Sequence, residues 1–241
     1  MRLDLDLAKQ LRSGHRTFRL RVRMQSTSDR IVIVGASGSG KSLTLKAIAG
    51  LERPDHGHVR LAGETLYDSD RRIDLPPQAR GVGYVFQDYA LFPHLTVRQN
   101  IACGLHRGLF NPGRRFRSDR VDYWLQTFHL EELAHQFPGE LSGGQRQRTA
   151  LARSLVAEPR ALLLDEPFAA VDPTLRRRLR AELDELQRRL GVPMVLITHD
   201  PEDAEALGGE TWVMRDGAIR RLREHAEPET RHDRPQPGGS Q

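Results

Sequence analysis

Gly35-Ala36-Ser37-Gly38-Ser39-Gly40-Lys41-Ser42 follows directly on the apolar run Ile31-Val32-Ile33-Val34, and this junction decides the fold. Four consecutive apolar residues without polar alternation read as a strand buried on both faces, as in a parallel sheet covered by helices. The eight residues after it fit GxxxxGK[ST], and a helix-like run comes next. The pattern has a physical reason. Glycines let backbone N–H groups curl around phosphate oxygens with no Cβ in the way. The helix that follows presents its positive end to the same anion. Lys41 adds a point charge for the outer phosphates, and the Ser42 hydroxyl can ligate Mg²⁺. A chance glycine-rich turn could match the composition, but not the order strand, loop, lysine, helix.

Working outward, Val82–Phe86, Ala161–Leu164 and Met194–Thr198 are similar short runs, predicted to join Ile31–Val34 in one parallel sheet. Two earlier segments differ. Leu3-Asp4-Leu5-Asp6-Leu7 and Phe18–Met24 alternate at period two, which predicts antiparallel strands with one wet face. His58–Tyr67, broken at Ala62-Gly63, reads as a further hairpin arm. Leu175, Leu179, Leu183, Leu186 and Leu190 recur at helical spacing and are stopped by Gly191 and Pro193. Trp212–Met214, Asp216-Gly217 and Ala218–Leu222 read as a closing hairpin with a tight turn. Between Asp88 and Val156 the strand signal vanishes. Helical spacing appears there at Val121, Leu125 and Phe128, beside a basic loop over Asn111–Arg117. The predicted division is an α/β core with an antiparallel β subdomain over 1–87 and 157–224, and an inserted helical subdomain over 88–156. A Pro-, Gly- and His-rich tail over 225–241 is expected to be disordered.

The 241 residues carry 37 Lys and Arg against 32 Asp and Glu, a net charge of +5, with 38% hydrophobic and 29% charged residues. That is a globular composition. The longest aliphatic runs are four residues, far below the roughly 20 that a membrane helix needs. The opening Leu/Asp alternation does not read as an export signal. A single cysteine, Cys103, excludes an internal disulfide and a cysteine-based zinc site, and fits a reducing compartment. The only lysines are Lys9, Lys41 and Lys46, so the positive charge is nearly all arginine. Spread along the chain, it reads as solvated surface more readily than as a nucleic-acid footprint.

Ala161-Leu162-Leu163-Leu164-Asp165-Glu166 is a buried strand ending in two carboxylates. Asp165 at the strand tip can hold the Mg²⁺ shell, as in other phosphate-loop nucleotidases, and Glu166 is placed to polarise an attacking water. Leu141-Ser142-Gly143-Gly144-Gln145 opens a helix-like stretch that runs to Val156 and offers a second anion-reading helix start. It ends twenty residues before Asp165. This order of motifs resembles the ATP-binding cassette (ABC) family over roughly residues 3–222. Within the resemblance, Gln87 matches the family's Q-loop glutamine, which senses Mg²⁺ and the transporter. Asp172, in Ala169-Ala170-Val171-Asp172, matches the D-loop aspartate, and His199 matches the switch histidine that contacts the γ-phosphate.

The resemblance implies an α/β phosphate-loop fold and an ATPase that uses ATP and Mg²⁺. It implies a second cassette paired head to tail, so that Ser142, Gly143, Gly144 and Gln145 read a nucleotide held by the partner's phosphate loop. Tyr89–Val97 looks like importer cassettes, where the Gln87–Val97 region packs on the permease, with a solute-binding protein acting indirectly. The protein is then expected at the cytoplasmic face of the membrane. Leu75–Asp88 and the brief strand pair at the start are most similar to molybdate, sulfate and ferric-ion cassettes, which suggests a small solute, an oxyanion among them. Two departures stand out. Many members carry an adenine-stacking aromatic 23 positions before the first phosphate-loop glycine. Here that position is Arg12, with His15 and Phe18 nearby. The chain also leaves no room for the small β-barrel regulatory domain that relatives often add. A DNA-maintenance ATPase of the same superfamily is the rival reading. Its long coiled coil or zinc cysteines are missing between the two loops. A non-hydrolytic module would be expected to have lost Glu166 or the signature.

Overall fold

The computed structural model describes residues 2–14, 16–105, 111–113, 116–169 and 173–222. His15, Arg114, Arg115, Asp172 and the tail over 225–241 lie outside the described residues. The chain opens with a long hairpin, β1 (Leu3–Ser13) and β2 (Arg16–Ser26), paired antiparallel from Leu3↔Ser26 to Ser13↔Arg16. Both strands outrun the alternating segments seen in the sequence, because backbone ladder bonds continue where the side chains cease to alternate. β3 (Arg30–Val34) enters the core and α1 (Lys41–Ala49) leaves the loop behind it. β4 (His56–Leu61), β5 (Glu64–Asp68) and β6 (Ile73–Asp74) extend the antiparallel layer outward from β1. β7 (Val82–Val85) returns to the core. Then come α2 (Val97–Ala102), α3 (Asp119–Thr127) and α4 (Gly143–Leu155), with no strand among the described residues until β8 (Ala161–Asp165). α5 (Pro173–Leu190), β9 (Met194–Thr198), α6 (Pro201–Leu207), β10 (Glu210–Arg215) and β11 (Ala218–Arg221) follow.

Among the described residues, eleven strands form one sheet in the order β6-β5-β4-β1-β2-β11-β10-β3-β9-β8-β7. The run β10-β3-β9-β8-β7 is parallel throughout, which brings the C-terminal ends of β3, β8 and β9 to one edge. This is the edge where ligands of open α/β sheets bind. Every residue of β8 and β9 is buried, as their unbroken apolar runs require.

Alternate residues of the parallel strands feed two different cores. Val32, Leu162, Leu164 and Leu196 pack with the helices between β7 and β8 and with α5, around Trp124, Phe128, Leu151 and Leu183. Ile31, Ile33, Leu163, Val195 and Ile197 pack with Leu45 and Ile48 of α1 and with Leu5, Leu7, Leu20 and Val22 of the hairpin.

One buried polar group was not foreseen. Arg80 is 1% exposed and donates through Nη1 to Ala47 O (2.7 Å) and Ile48 O (3.0 Å), and through Nε to Leu75 O (2.8 Å). It thus satisfies carbonyls that the end of α1 leaves without intrahelical partners. Gly50 has φ +78°, and a Cβ there would collide with the Arg80 guanidinium.

Candidate functional site

The phosphate loop spans the gap between β3 and α1. Gly35 passes so close to Met214 O of β10 that a Cβ would overlap it. Gly40 has φ +108°, and a Cβ there would lie 2.7 Å from Leu20 Cδ1 and 3.1 Å from Phe18 Cζ. The backbone therefore needs glycine at both places. From behind, Gly217 N of the β10–β11 turn donates to Ser39 O at 3.0 Å. Ser39 Oγ is buried with no hydrogen-bond partner, a spare donor inside the loop.

Lys41 is 3% exposed, and its Nζ donates to Gly35 O (2.8 Å) and Ala36 O (3.0 Å) across the loop. It also lies 3.3 Å from Glu166 Oε1. Ser42 Oγ donates to Asp165 Oδ1 at 2.9 Å, so the two predicted metal ligands meet although 123 residues separate them. The other oxygen of Asp165 accepts from the Tyr84 hydroxyl at 2.7 Å. Burial pushes the Tyr84 pKa up, and the bond to Asp165 and that carboxylate's charge push it further. Tyr84 thus stays a donor and fixes which way Asp165 faces.

Glu166 follows β8 in a left-handed conformation, φ +46°. For a residue with a Cβ this costs about 1–2 kcal/mol, and such strain gathers at functional sites. The turn aims the carboxylate back over the loop. Its Oε2 pairs with His199 Nδ1 at 2.8 Å while Oε1 faces Lys41. The His199 side chain is 47% exposed at the end of β9, so the pair opens to solvent on that side.

Lys41, Ser42, Asp165, Glu166 and His199 therefore come together beside the loop over 35–40, while Gln87 and the start of α4 do not bond to them. Ser142 caps α4 with a capping box: its Oγ accepts from Gln145 N (3.3 Å), and its N–H donates to Gln145 Oε1 (2.7 Å). Ser142 is exposed and Gly144 buried, and neither bonds to the phosphate loop. Gln87 is exposed in the turn after β7, with no hydrogen-bond partner among the described residues. Asp172 lies outside them. Of Leu91, Phe92, Leu95 and Val97, only Phe92 is exposed, at 43%. Leu95 and Val97 are 4% and 0% exposed, and Val97 belongs to the helical core, so neither offers an exposed apolar surface. Near the expected adenine position, Arg12 is exposed on β1, and Phe18 packs half-buried against the hairpin core.

The donor set suits a magnesium nucleotide. A cradle that a Cβ would fill suits phosphate oxygens. One serine and one aspartate leave most of the shell to water and phosphate, as Mg²⁺ prefers. Among the described residues, no cluster of three His, Cys, Asp or Glu could hold a metal by itself. Residues 21–169 match the family described as ABC transporter. The chain belongs to that family. A sulfate/thiosulfate import ATP-binding protein of Synechocystis sp. is 45% identical over 192 residues, 80% of this chain and 52% of that protein. A molybdenum import ATP-binding protein of Paramagnetospirillum magneticum is 41% identical over 215 residues, 89% of this chain and 57% of that one. A spermidine/putrescine import protein of Nitratidesulfovibrio vulgaris reaches 44% over 195 residues, 80% of this chain and 50% of that one, so identity does not sort cargo. This chain spans about half the length of these relatives. A dimeric, post-hydrolysis ABC cassette, MJ0796 bound to ADP and Pi, matches with a TM-score of 0.72 at 29% identity, covering 93% of this chain and all of that one.

Proposed function

We propose that this chain is the ATP-hydrolysing subunit of an importer for a small solute, with an oxyanion such as molybdate or sulfate as cargo. The observation that carries the reading is the Lys41–Glu166–His199 cluster beside the Ser42–Asp165 pair at one sheet edge. Gly35, Ala36, Ser37, Gly38, Ser39 and Gly40 cradle the phosphates. Ser42, Asp165 and Gln87 would hold Mg²⁺, which when bound would supply charge neutralisation at the phosphate oxygens. An arriving triphosphate draws the Lys41 ammonium away from the Gly35 and Ala36 carbonyls and from Glu166. Glu166 Oε1 is then free to take a proton from the attacking water, while His199 keeps Oε2 in place.

Ser142, Gly143, Gly144, Gln145 and Asp172 serve the nucleotide of a second cassette, since the capped start of α4 bonds to nothing in this chain's own phosphate loop. The Gln87–Val97 segment meets the permease, with Phe92 as its exposed contact. In this reading 88–156 is the helical signature subdomain, and the protein sits on the cytoplasmic face of the membrane. A solute-binding protein would act through the permease.

The test is turnover against protein concentration. Specific activity should rise as cassettes pair, and a mixture of Lys41→Ala and Ser142→Arg chains should recover one intact site per pair. Activity per chain that stays constant down to concentrations where only monomer is present overturns the shared site. Salt-sensitive retention on DNA, without stimulation by a permease, would favour the DNA-maintenance alternative.

A further inference from the structure

Glu166 and His199 meet at 2.8 Å, yet they lie at the ends of different strands. The sheet ladder that joins the strands ends at this point, with Glu166 N donating to Ile197 O at 3.0 Å. Beyond it the chain diverges into two loops, Glu166-Pro167-Phe168-Ala169 and His199-Asp200. A left-handed Glu166 does not hold that shape by its own preference, so something must hold it.

We infer that Arg176 of α5 is the positioning residue that locks these two loops together and so keeps Glu166 and His199 as one catalytic pair; this rests on the roles proposed for those two. Its Nε donates to Phe168 O at 3.1 Å, and its Nη1 donates to Asp200 Oδ2 at 2.6 Å. One planar guanidinium thus spans the residue two after Glu166 and the residue next to His199. A fork with fixed donor directions suits this task, and a lysine ammonium does not.

The Asp200 end is anchored independently. Asp200 Oδ1 caps α6 by accepting from Glu202 N (3.0 Å), and Asp200 N donates to Thr198 Oγ1 (3.0 Å). Arg180, one turn along α5, donates to the same Oδ2 at 2.9 Å and also pairs with Asp203 and Glu202. Arg180 does not touch the Glu166 loop. Among the described residues no side chain other than Arg176 bonds to Phe168 O. Removing Arg176 therefore loosens the Glu166 loop, which keeps the Tyr89 hydroxyl on Pro167 O (3.3 Å) and Phe168 in the core but loses its tie to Asp200, and leaves the His199 side braced.

The experiment compares Arg176→Gln, Arg176→Lys and Asp200→Asn with the full-length protein. In Arg176→Gln, kcat should fall about ten- to a hundredfold, the range expected when a catalytic group is misplaced by about 1 Å. KM for ATP should stay within about twofold, because the phosphate loop is untouched. The ¹⁵N resonance of His199 Nδ1 should lose the signature of a nitrogen held against a carboxylate. Arg176→Lys should recover part of kcat, since an ammonium keeps the charge on Asp200 but cannot also serve the carbonyl. Asp200→Asn preserves the helix cap and should lower kcat in the same direction, which keeps the test open if Arg176→Gln does not fold. Full kcat in the variants overturns the inference, as does a lowered kcat with the His199 resonance unmoved. Absence of turnover in the unaltered protein, paired and with Mg²⁺ present, would instead overturn the ATPase reading beneath it.

Discussion

The ends of β8 and β9 and the loop from β7 to α2 both contain strained residues, yet they are held in opposite ways. At the strand ends, strain is confined to Glu166, and the candidate side chains Asp165, Glu166 and His199 each already have a protein partner. In the β7–α2 loop, Tyr89 (φ +64°) and Ala90 (φ +42°) are left-handed in succession, separated by Asp88 from an unbonded Gln87. Arg153 of α4 holds this turn from outside, donating to Ala90 O and Tyr89 O, both at 2.7 Å, and lying over the exposed Phe92 ring. Burial pulls the Arg153 pKa down, against the opposing pull of Cys103 and Asp88. The strand ends form a pre-set site, and the loop is a held spring. The Tyr89 hydroxyl touches Pro167 O at 3.3 Å, so the two regions adjoin.

The contrast can be broken first at the strand ends. Glu166→Gln keeps the size and the His199 neighbour but removes the base, and turnover should fall about 10²–10⁴-fold. ATP affinity, read with a fluorescent nucleotide, should persist. Turnover within a few-fold of normal would remove Glu166 from the chemistry.

The second comparison lies inside the loop. Leu95→Ser cuts a buried side chain and should cost about 3 kcal/mol in denaturant unfolding. Phe92→Ser changes an exposed ring and should stay within about 0.5 kcal/mol. Phe92→Ser should nevertheless lower uptake in cells or association with the permease. Equal stability losses would mean that Phe92 is core.

At the proposed Mg²⁺ ligands, Tyr84→Phe leaves Asp165 Oδ2 without its donor, worth about 1.5–3 kcal/mol for a bond to a charged group. The Mg²⁺ concentration for half-maximal nucleotide binding should rise several-fold. An unchanged Mg²⁺ requirement would make Tyr84 only a packing residue. The smallest expected effect is Ala90→Gly. Relief of the left-handed strain, less the added freedom of the unfolded chain, should stabilise by about 0.5 kcal/mol. Destabilisation would show that Arg153 holds no strain there.

How legible each region was follows from how local its determinants are. The phosphate loop, the Asp165-Glu166 strand end and the α4 start are short patterns whose chemistry depends on neighbours in sequence, and each appears where it was read. Tyr84 was missed because its role arises from pairing: β7 lies beside β8 with Tyr84↔Leu163, which lets the hydroxyl reach Asp165. A tyrosine in an otherwise apolar strand was the available signal. Arg80, between Ala79 and Gly81, looks like a solvated loop arginine, and only the end of α1 makes it a cap. The burial of Leu95 and Val97 was legible in part, since Thr96 and Gln99 form a capping box. That motif starts a helix at Val97, and packing against α4 buries its face.

The wall behind the phosphate loop has a consequence for synthesis. Gly35–Ser42 leave the ribosome early, but the groups they rest on, Met214 O and the Gly217 amide, arrive nearly 180 residues later. Contacts so distant in sequence form late in folding. A nascent chain that already contains Lys41, Asp165, Glu166 and His199 still lacks the support that shapes its loop. The shape of the loop is therefore completed by β10 and the β10–β11 turn, and a translation product ending before Gly217 carries the phosphate loop, Asp165, Glu166 and His199 without a finished seat for phosphate.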